Sequence, residues 1–128
     1  MEEMKSVLLV FDDHKELEFI EANLIENESQ VFICDNLKTA SVLAQKELPD
    51  LIVVNTSDSE MDVQLFSKKI QLERSNNVTF LTLIELEDYF KTSAKEHFVV
   101  KPVRPKLLLS LIRGVMNHQE NSWLPSFR

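Results

Sequence analysis

Short runs of consecutive apolar residues alternate along the chain with longer segments in which apolar residues recur every three or four positions. The short runs are typical of strands buried on both faces, and the longer segments are typical of amphipathic helices. Strands are predicted at 6–11, 30–34, 50–55, 77–83 and 97–100. Helices are predicted at 14–27, 37–47, 61–74 and 105–118, with a weaker helical segment at 85–96. This order predicts an α/β domain of five βα units around a parallel sheet.

Polar residues at the predicted helix starts support these boundaries. Asp13, with Glu16 three positions later, fits a capping box at the first helix. Asn36 or Asp35 can cap the second helix, and Pro105 suits the first position of the last one.

The helical spacing also predicts which side chains face the sheet. In the third helix the inward residues are Val63, Phe66, Ile70 and Leu72 or a neighbour. In the last helix they are Leu107, Leu108, Leu111, Ile112 and Val115. Leu109 lies beside that stripe, so it either widens an exposed apolar surface or wraps the edge of the helix.

Length and composition narrow the class of protein. A chain of 128 residues is the size of one domain, and we expect a domain over 1–118 followed by a tail or the start of a linker over 119–128. Cys34 is the single cysteine, so no internal disulfide can form; we expect a small buried hydrophobe in a cytoplasmic protein. Gly114 is the single glycine, which excludes glycine-rich phosphate loops.

The charge balance argues against two classes of partner. Fourteen basic and 21 acidic residues give a net charge of -7, which disfavours binding to nucleic acid or to an anionic membrane. The first residues lack the pattern of a secretory signal, and no apolar stretch approaches the length of a membrane span.

Polar residues stand at four of the predicted strand ends, and the carboxyl ends of parallel strands meet at one edge of a sheet. Asp12 and Asp13 follow the first strand, and Asn55 ends the third. Thr82 lies near the end of the fourth, and Lys101 follows the fifth. Singly, each has a structural explanation as a cap, a half-buried hydroxyl or a surface charge. Together and in this order, they predict one shared cleft.

This set, with Pro-Asp-Leu-Ile-Val-Val-Asn at 49–55 followed by Met61 and Asp62, resembles the receiver domain of two-component response regulators. The resemblance covers about 5–117. It implies the CheY-like, flavodoxin-like fold: three layers, doubly wound (βα)5, with a five-stranded parallel sheet in the order 2-1-3-4-5. It also implies bacterial-type signalling, in which an aspartate ending the third strand accepts a phosphoryl group from a histidine kinase.

The resemblance assigns a role to each cleft residue. In active receivers the acidic pair and the acceptor aspartate hold magnesium, a lysine contacts the phosphoryl oxygens, a hydroxyl follows the phosphoryl group, and an aromatic residue changes rotamer. By position these are Asp12, Asp13, Asn55, Lys101, Thr82 and Phe98. The acceptor position holds an amide, whose nitrogen lone pair is delocalised, so it cannot act as the carboxylate nucleophile.

The missing carboxylate also weakens a metal site. Asp12, Asp13 and Lys101 sum to a charge of -1, whereas a third carboxylate would give the -2 that a divalent cation neutralises. We therefore expect no cofactor, with weak Mg²⁺ binding at Asp12 and Asp13 at most. Lys101 is then expected to pair with Asp12 or Asp13 and to hydrogen-bond the Asn55 carbonyl.

Two departures from the family pattern affect the surroundings of the cleft. The segment between Thr82 and Lys101 is short for the family, which predicts a truncated or irregular fourth helix. Val63 stands where receivers often have glycine, and Ser59 replaces a frequent proline, so a different loop backbone is expected.

The first functional hypothesis is a pseudo-receiver that binds a protein partner without phosphorylation. In the family the face formed by helix four, strand five and helix five serves as partner or dimer surface, which leaves a homodimer open. On this chain that face includes Phe98, Pro102, Val103 and Arg104.

Two alternatives remain. The domain could still be phosphorylated by a histidine kinase at a displaced acid, Asp58 or Asp50. An unrelated enzymatic activity is the poorest candidate, because His14, His97 and His118 show no metal-ligand spacing and no catalytic set is apparent.

Overall fold

The computed structural model describes residues 6–25, 29–74, 78–89 and 98–117, along which strands and helices alternate. The strands are β1 Ser6–Phe11, β2 Gln30–Cys34, β3 Leu51–Asn55, β4 Thr79–Ile84 and β5 Phe98–Val100. The helices are α1 His14–Ile25, α2 Leu37–Glu47, α3 Glu60–Glu73, α4 Leu86–Tyr89 and α5 Pro105–Asn117. The predicted order of elements is confirmed. The rest of the predicted fourth helix, from 90 on, and the predicted tail at 119–128 lie outside the described residues.

All strand pairs are parallel, and the sheet has the predicted order β2-β1-β3-β4-β5. The register pairs Phe11 with Asn55, Val54 with Thr82, and Thr82 with Phe98. The carboxyl ends of β1 and β3 are therefore level, and the polar residues that follow them meet at one edge of the sheet.

Two apolar clusters cover the two faces of the sheet, because alternate residues of a strand point to opposite sides. Val7, Leu9 and Phe11 of β1 pack into the cluster that α1 and α5 complete. Leu8 and Val10 pack into the cluster that α2 and α3 complete. Every residue of β3 is buried. The three-layer α/β prediction is confirmed.

Two leucines predicted to face inward are exposed, and the open position of Leu109 is decided. Leu72 is 82% exposed, where the prediction allowed a neighbour in its place, while Val63, Phe66 and Ile70 are buried as predicted. Leu107 is 54% exposed, whereas Leu109 is buried. Leu109 lies three residues before the fully buried Ile112, on the same side of α5, so it belongs to the core and does not widen a contact surface.

The end of α2 carries an unusual backbone conformation. Asn36 caps its start as predicted, accepting a 2.8 Å hydrogen bond from the Thr39 amide at Oδ1. At its end Leu48 has a φ of 51°, in the left-handed region that glycine or asparagine usually occupies. The Arg74 guanidinium donates to the carbonyl of the next residue, Pro49, and so fixes the chain after the turn.

Cys34 lies on edge strand β2 and is half-buried as a free thiol. Burial raises the pKa of the Cys34 thiol to about 11, so it stays protonated at neutral pH. This agrees with its predicted role as a small hydrophobe. No helix within the described residues is long and apolar enough to cross a membrane.

Replacing Ile52 with alanine tests the position of the core. Ile52 is fully buried at the centre of the sheet, so truncation leaves a cavity and is expected to lower the free energy of unfolding by about 2–5 kcal/mol. Val42→Ala, at a residue that is 61% exposed, is the control and should change it by less than about 0.5 kcal/mol. Urea titration followed by circular dichroism measures both; equal losses would contradict the assigned core.

Candidate functional site

The residues 55–57 form the centre of the cleft at the carboxyl edge of the sheet. Asn55 ends β3 and is only 6% exposed. Its carbonyl accepts a 3.4 Å hydrogen bond from the Asp12 amide. Asp12 and Lys101 both contact this segment, so the structure brings them together with Asn55.

The Asn55 amide has a partner that the sequence analysis did not identify. Its Nδ2 donates to Glu16 Oε1 across 3.3 Å. Glu16 lies in the first turn of α1 and was predicted only as part of a capping box. The Glu16 carboxylate, in the first turn of α1, accepts from the Asn55 amide, whereas an aspartate at position 55 would offer only oxygens.

Asp13 is engaged as the cap of α1. Its Oδ1 accepts hydrogen bonds from the amides of Lys15 at 2.9 Å and Glu16 at 3.4 Å. This half of the predicted capping box is present, while the Glu16 side chain bonds Asn55. The helix start and the cleft are therefore coupled through one glutamate.

Asp12 ties down the loop that leads from β3 to α3. Its Oδ2 accepts from the Ser57 amide at 2.7 Å and from Ser57 Oγ at 2.8 Å. Both distances are those of strong bonds to a charged acceptor. Ser57 was missed by the sequence analysis, because only the path of the loop brings it to Asp12.

The predicted pairing of Lys101 with Asp12 or Asp13 is wrong. Lys101 Nζ donates to the Thr56 carbonyl at 2.8 Å and lies 3.7 Å from Glu85 Oε2. The Lys101 backbone amide bonds the carbonyl of Ile84, which places the side chain beside the residue that follows β4. Because the Glu85 side chain is 63% exposed, this ion pair contributes about 1 kcal/mol or less.

Thr82 is near the cleft but faces another layer. It is 3% exposed. Its neighbours Leu81 and Leu83 pack toward α1 and α5, so alternation turns the Thr82 side chain toward α2 and α3. Asn55 reaches Glu16 on α1, so the two side chains lie on opposite faces of the sheet.

The predicted contact residues form the end of the sheet beyond β4. Phe98 and Val103 are half-buried, and Val103 packs against the core. Pro102 and Arg104 are exposed, and the peptide bond before Pro102 is cis. Their predicted role in partner binding remains a prediction.

The two candidate displaced acceptors, Asp58 and Asp50, have different surroundings. Asp58 lines an open cavity of about 430 Å³ between the starts of α2 and α3, together with Lys38 and Asp62. Asp50 precedes β3 at the opposite edge of the sheet, where its Oδ2 accepts from the amide and Oγ of Ser6, both at 3.2 Å. Asp50 therefore cannot serve the cleft.

The two aspartates that would hold magnesium in an active receiver have protein donors here. One oxygen of Asp12 and one of Asp13 already accept two protein hydrogen bonds each. In the part of the chain that the structure describes, no three His, Cys, Asp or Glu side chains are grouped to hold a metal ion. His14 is exposed at the start of α1, while His97 and His118 lie outside that part.

Comparison with known proteins identifies the fold. No family model matches the chain. The chain is 25% identical over 124 residues to histidine kinase P4 of Formosa agariphila, covering 92% of this chain and 9% of that protein.

Solved structures give a consistent result. The chemotaxis response regulator CheY4 of Vibrio cholerae matches with a TM-score of 0.70 and 23% identity, over 88% of this chain and 98% of that one. The receiver domain of a response regulator from Bermanella marisrubri matches with a TM-score of 0.67 and 22% identity, over 89% and 99%. A two-component transcriptional regulator from Clostridium phytofermentans matches with a TM-score of 0.70 and 18% identity, over 87% and 90%. The chain has the CheY-like receiver fold, as its sequence indicated.

Replacing Asn55 with aspartate tests the contact with Glu16. The change removes the donor and sets two carboxylates about a hydrogen-bond length apart, so we expect a loss of about 1–4 kcal/mol at pH 7. Urea titrations of the natural chain and the variant at pH 7 measure the loss.

A second substitution makes this test specific. Glu16→Gln in the Asn55→Asp background restores a donor and should recover most of the stability. Glu18→Gln, an exposed residue of the same helix, removes the same charge and should not. Equal recovery by the two variants would show that net charge, and not the contact, causes the loss.

Proposed function

We propose that this domain is a pseudo-receiver of two-component-type signalling, which binds a protein partner without accepting a phosphoryl group. The observation that carries the proposal is the buried Asn55 at the end of β3, with its Nδ2 donating to Glu16. The domain supplies a surface and catalyses no reaction of its own.

The contacts around the cleft favour a single conformation. Asp12 holds the loop after β3, Asp13 caps α1, and Lys101 holds the Thr56 carbonyl. A phosphoryl group on this edge would need these charged groups as ligands, and each already has a protein partner. Signal transfer then depends on whether the partner is present and not on a chemical modification.

The domain is proposed to work as one part of a cytoplasmic signalling pathway. The chain spans 9% of the length of the histidine kinase that it resembles, so a place within a larger signalling protein is part of the proposal. The partner face is proposed to be that of α4, β5 and α5. Leu86 of α4 and Leu107 of α5 are 53% and 54% exposed, and Arg104, just before α5, is exposed as well.

Incubation with acetyl phosphate and Mg²⁺, followed by intact-mass analysis, tests the absence of phosphotransfer. We expect no gain in mass, because the acceptor position is an amide. An active receiver with aspartate at the matching position, treated in parallel, shows that the reagent works. An alkali-labile gain of one phosphoryl group would contradict the proposal. If Asp58→Asn abolished that gain, the displaced-acceptor alternative would hold.

Titration with MgCl2, followed by amide chemical shifts, tests the expected weakness of the metal site. At millimolar Mg²⁺ we expect the amides of Asp12, Asp13 and Ser57 to stay near their starting positions, because the Asp12 and Asp13 oxygens have protein donors. MgCl2 is compared with NaCl at equal ionic strength. Saturable shifts confined to these amides in MgCl2 would show that the site binds the ion.

A further inference from the structure

The outer face of α3 carries an apolar stripe that no other described residue covers. We call Met61, Leu65, Lys68 and Leu72 the α3 stripe. Its three apolar members are 71%, 61% and 82% exposed, which includes the most exposed large apolar side chain in the described part of the chain. The intervals between the four residues are four, three and four positions, so they lie along one side of the helix.

The stripe is not the edge of the core. The inward residues of α3 are Val63, Phe66 and Ile70, all buried against the sheet. At 100° per residue these point about 160° away from the stripe. The helix therefore has two apolar faces, and the second one has no partner within the described residues.

We propose that a second copy of the chain covers this face, with the two α3 helices packed antiparallel about a two-fold axis between Leu65 and Lys68. The spacing of the stripe is that of the contact positions of a coiled coil. The two-fold axis places Met61 of each copy against Leu72 of the other, one such contact at each end of the helix pair. In the middle, the methylene stem of Lys68 covers Leu65 while its ammonium reaches solvent.

Charges beside the stripe favour a second copy and set the direction. Asp62 and Lys69 are both exposed and occupy equivalent positions on the same flank of the stripe, seven residues apart. In the antiparallel pair, Asp62 of each copy faces Lys69 of the other, which gives two opposite-charge contacts. A parallel pair would instead place the two Lys68 ammonium groups against each other. Antiparallel packing also opposes the two helix dipoles.

The expected association is weak and reversible. One helix face buries less than the roughly 1,200 Å² typical of stable interfaces. Each copy also carries a net charge of -7, which opposes pairing. The α3 stripe lies apart from the α4–β5–α5 face, so this inference does not rest on the proposed function.

Sedimentation velocity of the full chain, from micromolar to millimolar concentration, tests the dimer. We expect the sedimentation coefficient to rise toward that of a dimer, and Leu65→Glu to abolish the rise. The matched control is Val42→Glu, at an apolar residue of α2 with the same 61% exposure as Leu65, which should leave the rise unchanged. A monomer throughout the series, or loss of the dimer in the control alone, would overturn the inference.

A charge exchange tests the partner and the direction of packing. Asp62→Lys and Lys69→Asp each place like charges together at both contacts and should weaken the dimer about tenfold. The double variant restores opposite charges and should recover the affinity of the natural chain. Circular dichroism checks that each variant stays folded. A double variant as weak as the single ones would exclude the antiparallel α3 contact.

Discussion

A carboxamide at the end of β3 can donate a hydrogen bond, whereas a carboxylate can only accept one, and the contacts at this edge of the sheet fit that difference. The Asn55 donor satisfies Glu16, which leaves Asp13 to cap α1. Asp12 accepts hydrogen bonds from the amide and the hydroxyl of Ser57. The three charged residues of the family pattern, Asp12, Asp13 and Lys101, each form hydrogen bonds within the protein.

The fold was predictable because its information is local. The apolar run of β3 marks a strand buried on both faces, and the residue types at the helix starts mark their caps. The side facing the core was less predictable where leucines are adjacent. Because α5 has three consecutive leucines, more than one set of them could form the inward face of the helix. In the packed structure Leu109 is buried and Leu107 is exposed.

Asp12, Asn55 and Lys101 were predictable as members of the cleft from their order along the chain, but their contacts were not. The Lys101 side chain contacts Thr56 and Glu85 because the Lys101 backbone amide is bonded to the end of β4. No local sequence pattern encodes this contact between distant residues. Thr82 faces α2 and α3 because the strand register is shifted by one residue relative to Asn55. The one available signal that was missed is Glu16, a carboxylate in the helix turn nearest the cleft.

The left-handed conformation of Leu48 lowers the stability of the domain below what the same fold could have. A side chain with a β-carbon in that conformation carries a steric cost of about 1–2 kcal/mol, which glycine would avoid. The natural sequence tolerates this cost, so a substitution that removes it can raise the free energy of unfolding. An engineer who needs a more stable scaffold for a signalling sensor can remove this cost with Leu48→Gly, at a position outside the proposed α4–β5–α5 face.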